Sequence, residues 1–146
     1  CDLADLAFLR ADSIDLAFSA QSLAEVDDLG RVFRQVHRVL RPNAPLVFSY
    51  DHPMALCVAR DAGEVSPGAL PLGSLSVRRS FFDPEPRKTE RNGEVHTIIP
   101  RSLSELFAQL GRAGFRVDTV LEPAPLSDPN PLIPASMVLR ARKEGS

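Results

Sequence analysis

The feature that most constrains the fold is a strand–helix–strand pattern in residues 14–50. Residues 14–18 and 46–50 are short apolar segments typical of buried strands. Between them, apolar side chains recur at helical spacing over residues 29–40, and arginines occupy the opposite face. Two strands joined in this way run parallel, because the helix returns the chain to the end at which the first strand began. The pattern therefore predicts an α/β fold with a helix packed on a sheet.

Local signals mark where the helices begin and end. Asp27 or Asp28 is a suitable N-cap for the first helix, and Pro42 ends it. Ser102 and Glu105 have the spacing of a capping box, which predicts the start of a second helix. Two further strands are predicted at residues 115–121 and 137–142, followed by a frayed end from Lys143 onward.

The middle of the chain, residues 51–100, has weak apolar periodicity and frequent glycine and proline. Asn92-Gly93 predicts a hairpin turn, with residues 95–99 pairing with either 77–82 or 87–89. A stretch of this length within a domain is typical of a lid, a substrate-side binding insertion or a mobile loop. Its basic side chains suit an anionic group, but interspersed acidic residues favour a solvated loop; the basic residues are Arg78, Arg79, Arg87, Lys88 and Arg91.

Composition excludes several classes of function. The 146 residues suit a single domain, and the net charge of −2 is spread without a basic block, which argues against nucleic acid as a partner. No apolar run approaches the roughly 20 residues that span a membrane. Two cysteines make no disulfide framework, so a cytoplasmic location is expected. No histidines have metal-ligand spacing with carboxylates or cysteine, and no metal is predicted.

Several segments, taken in order, resemble the class I S-adenosylmethionine-dependent methyltransferases, in particular their small-molecule branch. The segments are Asp2 to Phe8, Asp12 to Ser19, Arg34 to Pro42, Leu46 to Ser49, Arg112 to Phe115 and Leu139 to Lys143. The resemblance implies a sheet with strand order 3-2-1-4-5-7-6, a last strand that is antiparallel, and S-adenosylmethionine as cofactor. Of that sheet, this chain would hold the Rossmann-like portion 4-5-7-6.

The chain departs from the family pattern in what it lacks. It has no Gly-x-Gly-x-Gly loop and no acidic residue after a following strand to bind the ribose. We therefore expect residues 1–146 to be a truncated methyltransferase domain, with 51–100 as its insertion, and to be unable to bind the cofactor alone. Removing the first three strands would leave the strand at residues 14–18 as an open edge, through which the chain can form a homodimer.

The resemblance also suggests cofactor-binding residues. Asp2 matches the position whose carboxylate accepts from the adenine amino group, and Leu3 the position whose amide reaches the ring. The loop Ser19, Ala20 and Gln21 matches the segment that lines the methionine part, largely through backbone atoms. The alternatives are an exposed acid near the terminus and a plain loop.

His52 is the candidate catalytic residue. It follows the strand at residues 46–50, at the edge where ligands bind in open α/β sheets, and its pKa range suits a general base or substrate contact. The alternative is a loop histidine fixed by Pro53. His37 is expected to be structural, and His96 can face the substrate side.

Two functions remain open from the sequence. The first is transfer of a methyl group from S-adenosylmethionine to a small-molecule acceptor, with catalysis mostly by positioning. The second is a non-catalytic, methyltransferase-like interaction or dimerisation module, which the missing glycine loop favours.

Overall fold

The computed structural model describes residues 5–60, 75–126 and 131–145. The strands are β1 Ala17–Ala20, β2 Pro45–Asp51, β3 Val58–Arg60, β4 Leu75–Val77, β5 Arg87–Arg91, β6 Glu94–Ile98, β7 Phe115–Leu121 and β8 Ser136–Lys143. The helices are α1 Leu29–Val39 and α2 Leu103–Arg112, and a short 3-10 helix covers Ser22–Glu25.

The main sheet has four strands in the order β1-β2-β8-β7. β1 and β2 are parallel, whereas β8 is antiparallel to both β2 and β7. This order confirms the predicted 4-5-7-6 portion of a Rossmann-like sheet, including its antiparallel last strand. β1, β2 and β7 therefore end at the same edge of the sheet, which is the edge where α/β proteins bind their ligands.

The strand–helix–strand unit forms as predicted, except where its first strand begins. Asp28 caps α1 by accepting a hydrogen bond from the Arg31 amide at 2.8 Å, and the chain then returns through β2. The first strand begins at Ala17, and Ile14 makes only a single parallel bridge to Leu40. The amides of Ser13 and Ile14 instead bond the Val39 carbonyl at the end of α1, which keeps this segment out of the sheet.

One face of the sheet carries the core. Leu46, Phe48 and Tyr50 alternate along β2 and are buried, and the helices α1 and α2 contribute Phe33 and Leu106 among others to the same cluster. The Phe33 ring lies 5.8 Å from that of Phe48 and 6.4 Å from that of Phe115, measured between centroids. On the other face of β2, Val47 and Ser49 are only half-buried by the described residues.

The middle segment contains two small antiparallel pairs. β5 pairs with β6 through Asn92-Gly93, with φ of 52° and 80°, which is the left-handed pair that a two-residue hairpin turn requires. Of the two predicted partners, residues 87–89 are therefore correct. Val77 belongs to β4 instead, and β4 pairs with β3.

The C-terminal part follows the local signals up to its last strand. Ser102 and Glu105 form both hydrogen bonds of the capping box, and Gly114 follows α2 with a φ of 86°. The predicted fraying at Lys143 is wrong, because β8 includes this residue and its side chain is buried. The Lys143 Nζ lies 2.6 Å from Asp12 Oδ1 and 2.8 Å from the Leu40 carbonyl, which satisfies the buried charge.

Neither helix in the described ranges has the length and apolar character needed to cross a membrane.

Candidate functional site at the carboxyl edge of the sheet

The loop after β1 is fixed to the end of β2. The Gln21 amide donates to the Ser49 carbonyl at 3.2 Å and to Ser49 Oγ at 3.0 Å. Gln21 has a left-handed φ of 60°, which for a residue with a Cβ costs on the order of 1–2 kcal/mol. The hydroxyl oxygens of Ser19 and Ser22 are hydrogen-bonded at 2.8 Å. Ala20, between these contacts, is exposed. The loop is thus a turned, well-defined backbone at the ligand edge.

The predicted loop begins later than expected, because Ser19 and Ala20 are the last two residues of β1 and pair with β2. Gln21 follows them in the turn, and the role of all three in cofactor binding stays a prediction. The other two candidates for cofactor binding, Asp2 and Leu3, lie outside the described residues. Their contribution stays a prediction.

His52 follows β2 at the same edge but is turned away from the β1 loop. Its Nε2 lies 2.9 Å from Glu122 Oε1, and its Nδ1 accepts a hydrogen bond from the Met54 amide at 3.2 Å. The Met54 contact requires an unprotonated Nδ1, so Nε2 carries the proton and donates to Glu122. With both ring nitrogens engaged, a general-base role requires that His52 first leave one partner. That role stays a prediction, and the contacts favour an orienting role.

A buried arginine connects the loops of this edge. Arg101 donates from Nη1 to Tyr50 Oη at 2.9 Å and from Nη2 to the carbonyls of Val26 at 2.5 Å and Asp27 at 2.8 Å. Tyr50 Oη in turn donates to the Ile99 carbonyl at 3.1 Å. Burial raises the pKa of Tyr50, and the hydrogen bond from Arg101 offsets part of that increase. The network holds the connection after β1, the end of β2 and the start of α2 in one arrangement.

The hairpin is attached to the same edge through His96. Its Nδ1 lies 2.9 Å from Glu25 Oε1 in the 3-10 helix, and the Ile99 amide donates to the Ala24 carbonyl at 2.8 Å. His37, in contrast, packs its ring on Phe115 at 5.3 Å on the opposite side of the fold from the loops. This position agrees with the structural role expected for His37.

A cavity of about 300 Å³ lies between the segment after β2, residues 81–87 and the first turn of α2. Its apolar walls include Pro53, Phe81 and Phe82. Arg87 also lines the cavity. Its side chain is only 6% exposed, so the expectation that it belongs to a solvated loop is wrong at this residue. The Arg87 Nη2 donates to the carbonyls of Ser80 and Asp83 at 3.5 and 3.2 Å, which folds the guanidinium inward.

Sequence reasoning missed three of the residues that build this edge: Arg87, Arg101 and Glu122. Each acts through a partner distant in sequence or through backbone carbonyls of a loop. For Arg87 the available signal was the basic character of the middle segment, which does not distinguish a buried arginine from its exposed neighbours. Arg101 and Glu122 lie outside that segment, and no local pattern marked them.

Comparison with known proteins identifies the fold. A family model described as a methyltransferase domain matches residues 1–48, a segment that contains the β1 loop and α1. No protein of curated function matches the chain significantly.

Solved structures match over nearly the whole chain. An S-adenosylmethionine-dependent methyltransferase from Mesorhizobium loti is 29% identical with a TM-score of 0.73, covering 98% of this chain and 68% of its own. A Listeria monocytogenes protein assigned to the same class is 18% identical with a TM-score of 0.77, covering 99% of this chain and 68% of its own.

A more distant match was solved with ligands. It is the 1,6-didemethyltoxoflavin-N1-methyltransferase of Burkholderia thailandensis with bound 1,6-didemethyltoxoflavin and S-adenosylhomocysteine, 16% identical with a TM-score of 0.56, covering 99% of this chain and 49% of its own. This chain spans about two thirds of the length of the first two relatives. The chain has the fold of the class I S-adenosylmethionine-dependent methyltransferases.

Proposed function

We propose that this chain is the acceptor-side part of an S-adenosylmethionine-dependent methyltransferase that acts on a small molecule. The observation that carries the proposal is that the ordered β1 loop and a separate 300 Å³ cavity, lined by Pro53 just after β2, both lie at the carboxyl edge of a methyltransferase sheet. A cavity of this size is at the lower end of the range that holds small ligands. The 29% identity to the Mesorhizobium loti enzyme supports the same assignment.

The reaction itself makes modest demands on side chains. Bound S-adenosylmethionine would supply its methyl group to a nucleophilic atom of the acceptor, with the carbon–sulfur bond broken and its electron pair kept by sulfur. The acceptor loses a proton when its nucleophile carried one. Positioning two reactants in line can supply much of the rate enhancement. The engagement of both His52 ring nitrogens by Glu122 and Met54 is therefore compatible with this chemistry.

The residues fit the cofactor only in part. The turned loop of Ser19, Ala20 and Gln21 offers backbone at the end of β1, which suits the methionine end. The 146-residue sequence has no Gly-x-Gly-x-Gly loop, whose missing side chains would let backbone approach the cofactor closely. We therefore infer that the adenosine end is held by further structure that packs beside β1.

The open edge of the sheet supports this inference. Within the described residues β1 pairs with β2 alone, and Leu16 and Phe18 are 54% and 71% exposed. An apolar strand with an unpaired edge is the usual template for another strand. Completion of the sheet by the glycine-loop half of a methyltransferase domain would cover both side chains.

The second candidate is a non-catalytic module that uses the same edge for dimerisation. The exposure of Phe18 favours it equally, since a second copy can also cover this strand. The two candidates differ in cofactor binding, because a module that only dimerises has no reason to bind S-adenosylhomocysteine.

The test uses the chain extended by the in-frame sequence encoded ahead of Cys1. Ala20→Trp places a large side chain on the exposed β1 loop, and we expect it to weaken S-adenosylhomocysteine binding at least tenfold by calorimetry. Ala108→Trp is the matched control, because Ala108 is exposed on α2. Equal affinities in the two variants would remove the β1 loop from the cofactor site.

A further inference from the structure

We propose that Arg87 recognises a carboxylate, and that the methyl acceptor is a small apolar monocarboxylate. That this ligand is the methyl acceptor rests on the proposed function. The anion site itself depends only on the contacts of Arg87. Arg87 is 6% exposed and lines the 300 Å³ cavity. Its Nε and Nη1 have no hydrogen-bond partner among the described residues.

This state of Arg87 is costly for a buried cation. A guanidinium removed from water loses favourable solvation free energy, which it normally regains through pairing and hydrogen bonds. Here Asp83 Oδ2 lies 3.6 Å from Nη1, which is an ion pair but too long for a hydrogen bond. Two buried donor nitrogens therefore lack an acceptor, and a ligand in the cavity would reach them by a turn of the Arg87 side chain.

The charges around the cavity favour one negative charge over two. Arg87 and Arg101 are balanced by Asp83 and Glu105, all of which line it. Arg101 already donates to Tyr50 and two carbonyls, and Glu105 is engaged in the capping box of α2. A dianion such as a phosphate ester would place two negative charges near two carboxylates, so a monocarboxylate fits better.

The remaining walls define the rest of the ligand. The rings of Phe81 and Phe82 stand edge to face with centroids 5.5 Å apart, and both line the cavity together with Pro53. Ser102 and Ser104 belong to the first turn of α2, where the helix dipole also favours negative charge. Together these surfaces suit an apolar, planar body with a carboxylate directed towards Arg87.

The location connects this cavity with the cofactor edge. Pro53 follows the end of β2, and Arg101, which lines the cavity, bonds the carbonyls of Val26 and Asp27 between the 3-10 helix and α1. A ligand in the cavity would therefore lie at the same carboxyl edge of the sheet as the loop assigned to the methionine end of the cofactor.

The experiment is an NMR titration of the full-length protein containing this chain, without cofactor, with benzoate, benzamide and phenylphosphonate as probes. We expect saturable binding of benzoate, at least tenfold weaker binding of benzamide and phenylphosphonate, and a shifted Arg87 Nε–H signal. Arg87→Gln should weaken benzoate at least tenfold, consistent with loss of a charge-assisted hydrogen bond. Lys88→Gln removes the same charge from an exposed neighbour on β5 and should leave the affinity unchanged.

Each other outcome decides against the proposal. Absence of benzoate binding, or equal affinity in the wild type and Arg87→Gln, overturns the site. Equal binding of benzoate and phenylphosphonate overturns the choice of a carboxylate. If Arg87→Gln fails to fold, the Nε–H signal in the wild type decides, since an unshifted signal contradicts the contact. Because no cofactor is present, these results are independent of whether the protein transfers methyl groups.

Discussion

At the scale of single residues, Gly114 is a position where the backbone and a neighbouring side chain both exclude a Cβ. Its φ is 86°, and a Cβ would lie 2.7 Å from His37 Nε2. We expect Gly114→Ala to lower the free energy of unfolding by about 2 kcal/mol, from left-handed strain and displacement of His37. Gly111→Ala is the control, because Gly111 lies in α2 with open space around it and should stabilise by about 0.5–1 kcal/mol. Urea unfolding of both variants measures the difference, and equal effects would contradict it.

Asp118 gives a pH-dependent prediction at the same scale. Hydrogen bonds from Arg140 and then Arg142 lower its pKa from 3.8 to about 2. Because the folded-state pKa lies below the unfolded value, the ionised group stabilises the fold above pH 3.8, and this stabilisation is lost as the pH falls towards 2. NMR titration should place its midpoint near 2, and Asp118→Asn should flatten the stability profile in that window. A midpoint near 3.8 would show that the two arginines do not hold the carboxylate.

At the scale of elements, the connections at the carboxyl edge depend on one arginine. Arg101→Met keeps the volume but leaves Tyr50 Oη and the carbonyls of Val26 and Asp27 without their donor. We expect a loss of about 3 kcal/mol in the free energy of unfolding, the usual cost of breaking a buried charged network. Arg112→Met, at the exposed end of α2, should change it by less than about 0.5 kcal/mol. Similar values for the two variants would mean that the network contributes little.

The elements also show how far sequence reasoning extends. The caps of α1 and α2 and the turn at Asn92-Gly93 were predictable, because their determinants lie within a few residues of one another. The strand order followed from the family resemblance.

The contacts that build the site were not predictable in this way. His52 is hydrogen-bonded to Glu122, which lies 70 residues further along the chain. The buried Arg87 guanidinium donates to a carbonyl of the segment just before β5. The start of β1 was misplaced for a related reason: the amides before it bond the end of α1, and apolar composition does not reveal that competition.

At the scale of the whole molecule, the exposed β1 edge predicts self-association of the 146-residue chain. Phe18 is 71% exposed on this strand. We expect concentration-dependent dimers in sedimentation velocity, and Phe18→Lys should weaken them, because a charge on an edge strand opposes strand addition. Leu126→Lys changes an equally apolar, fully exposed residue beyond β7 and should leave the association unchanged. Monomers at all concentrations, or equal loss in both variants, would rule out association through β1.

The central proposal is that this chain is one part of a methyltransferase and that it needs a glycine-loop half to bind its cofactor. Calorimetric titration with S-adenosylmethionine tests it directly, using the 146-residue chain and the same chain extended by the in-frame sequence ahead of Cys1. We predict no saturable binding to the 146-residue chain at micromolar concentrations and clear saturation of the extended protein. Saturation of the 146-residue chain, or no binding by an extended protein that carries the glycine loop, would contradict the claim.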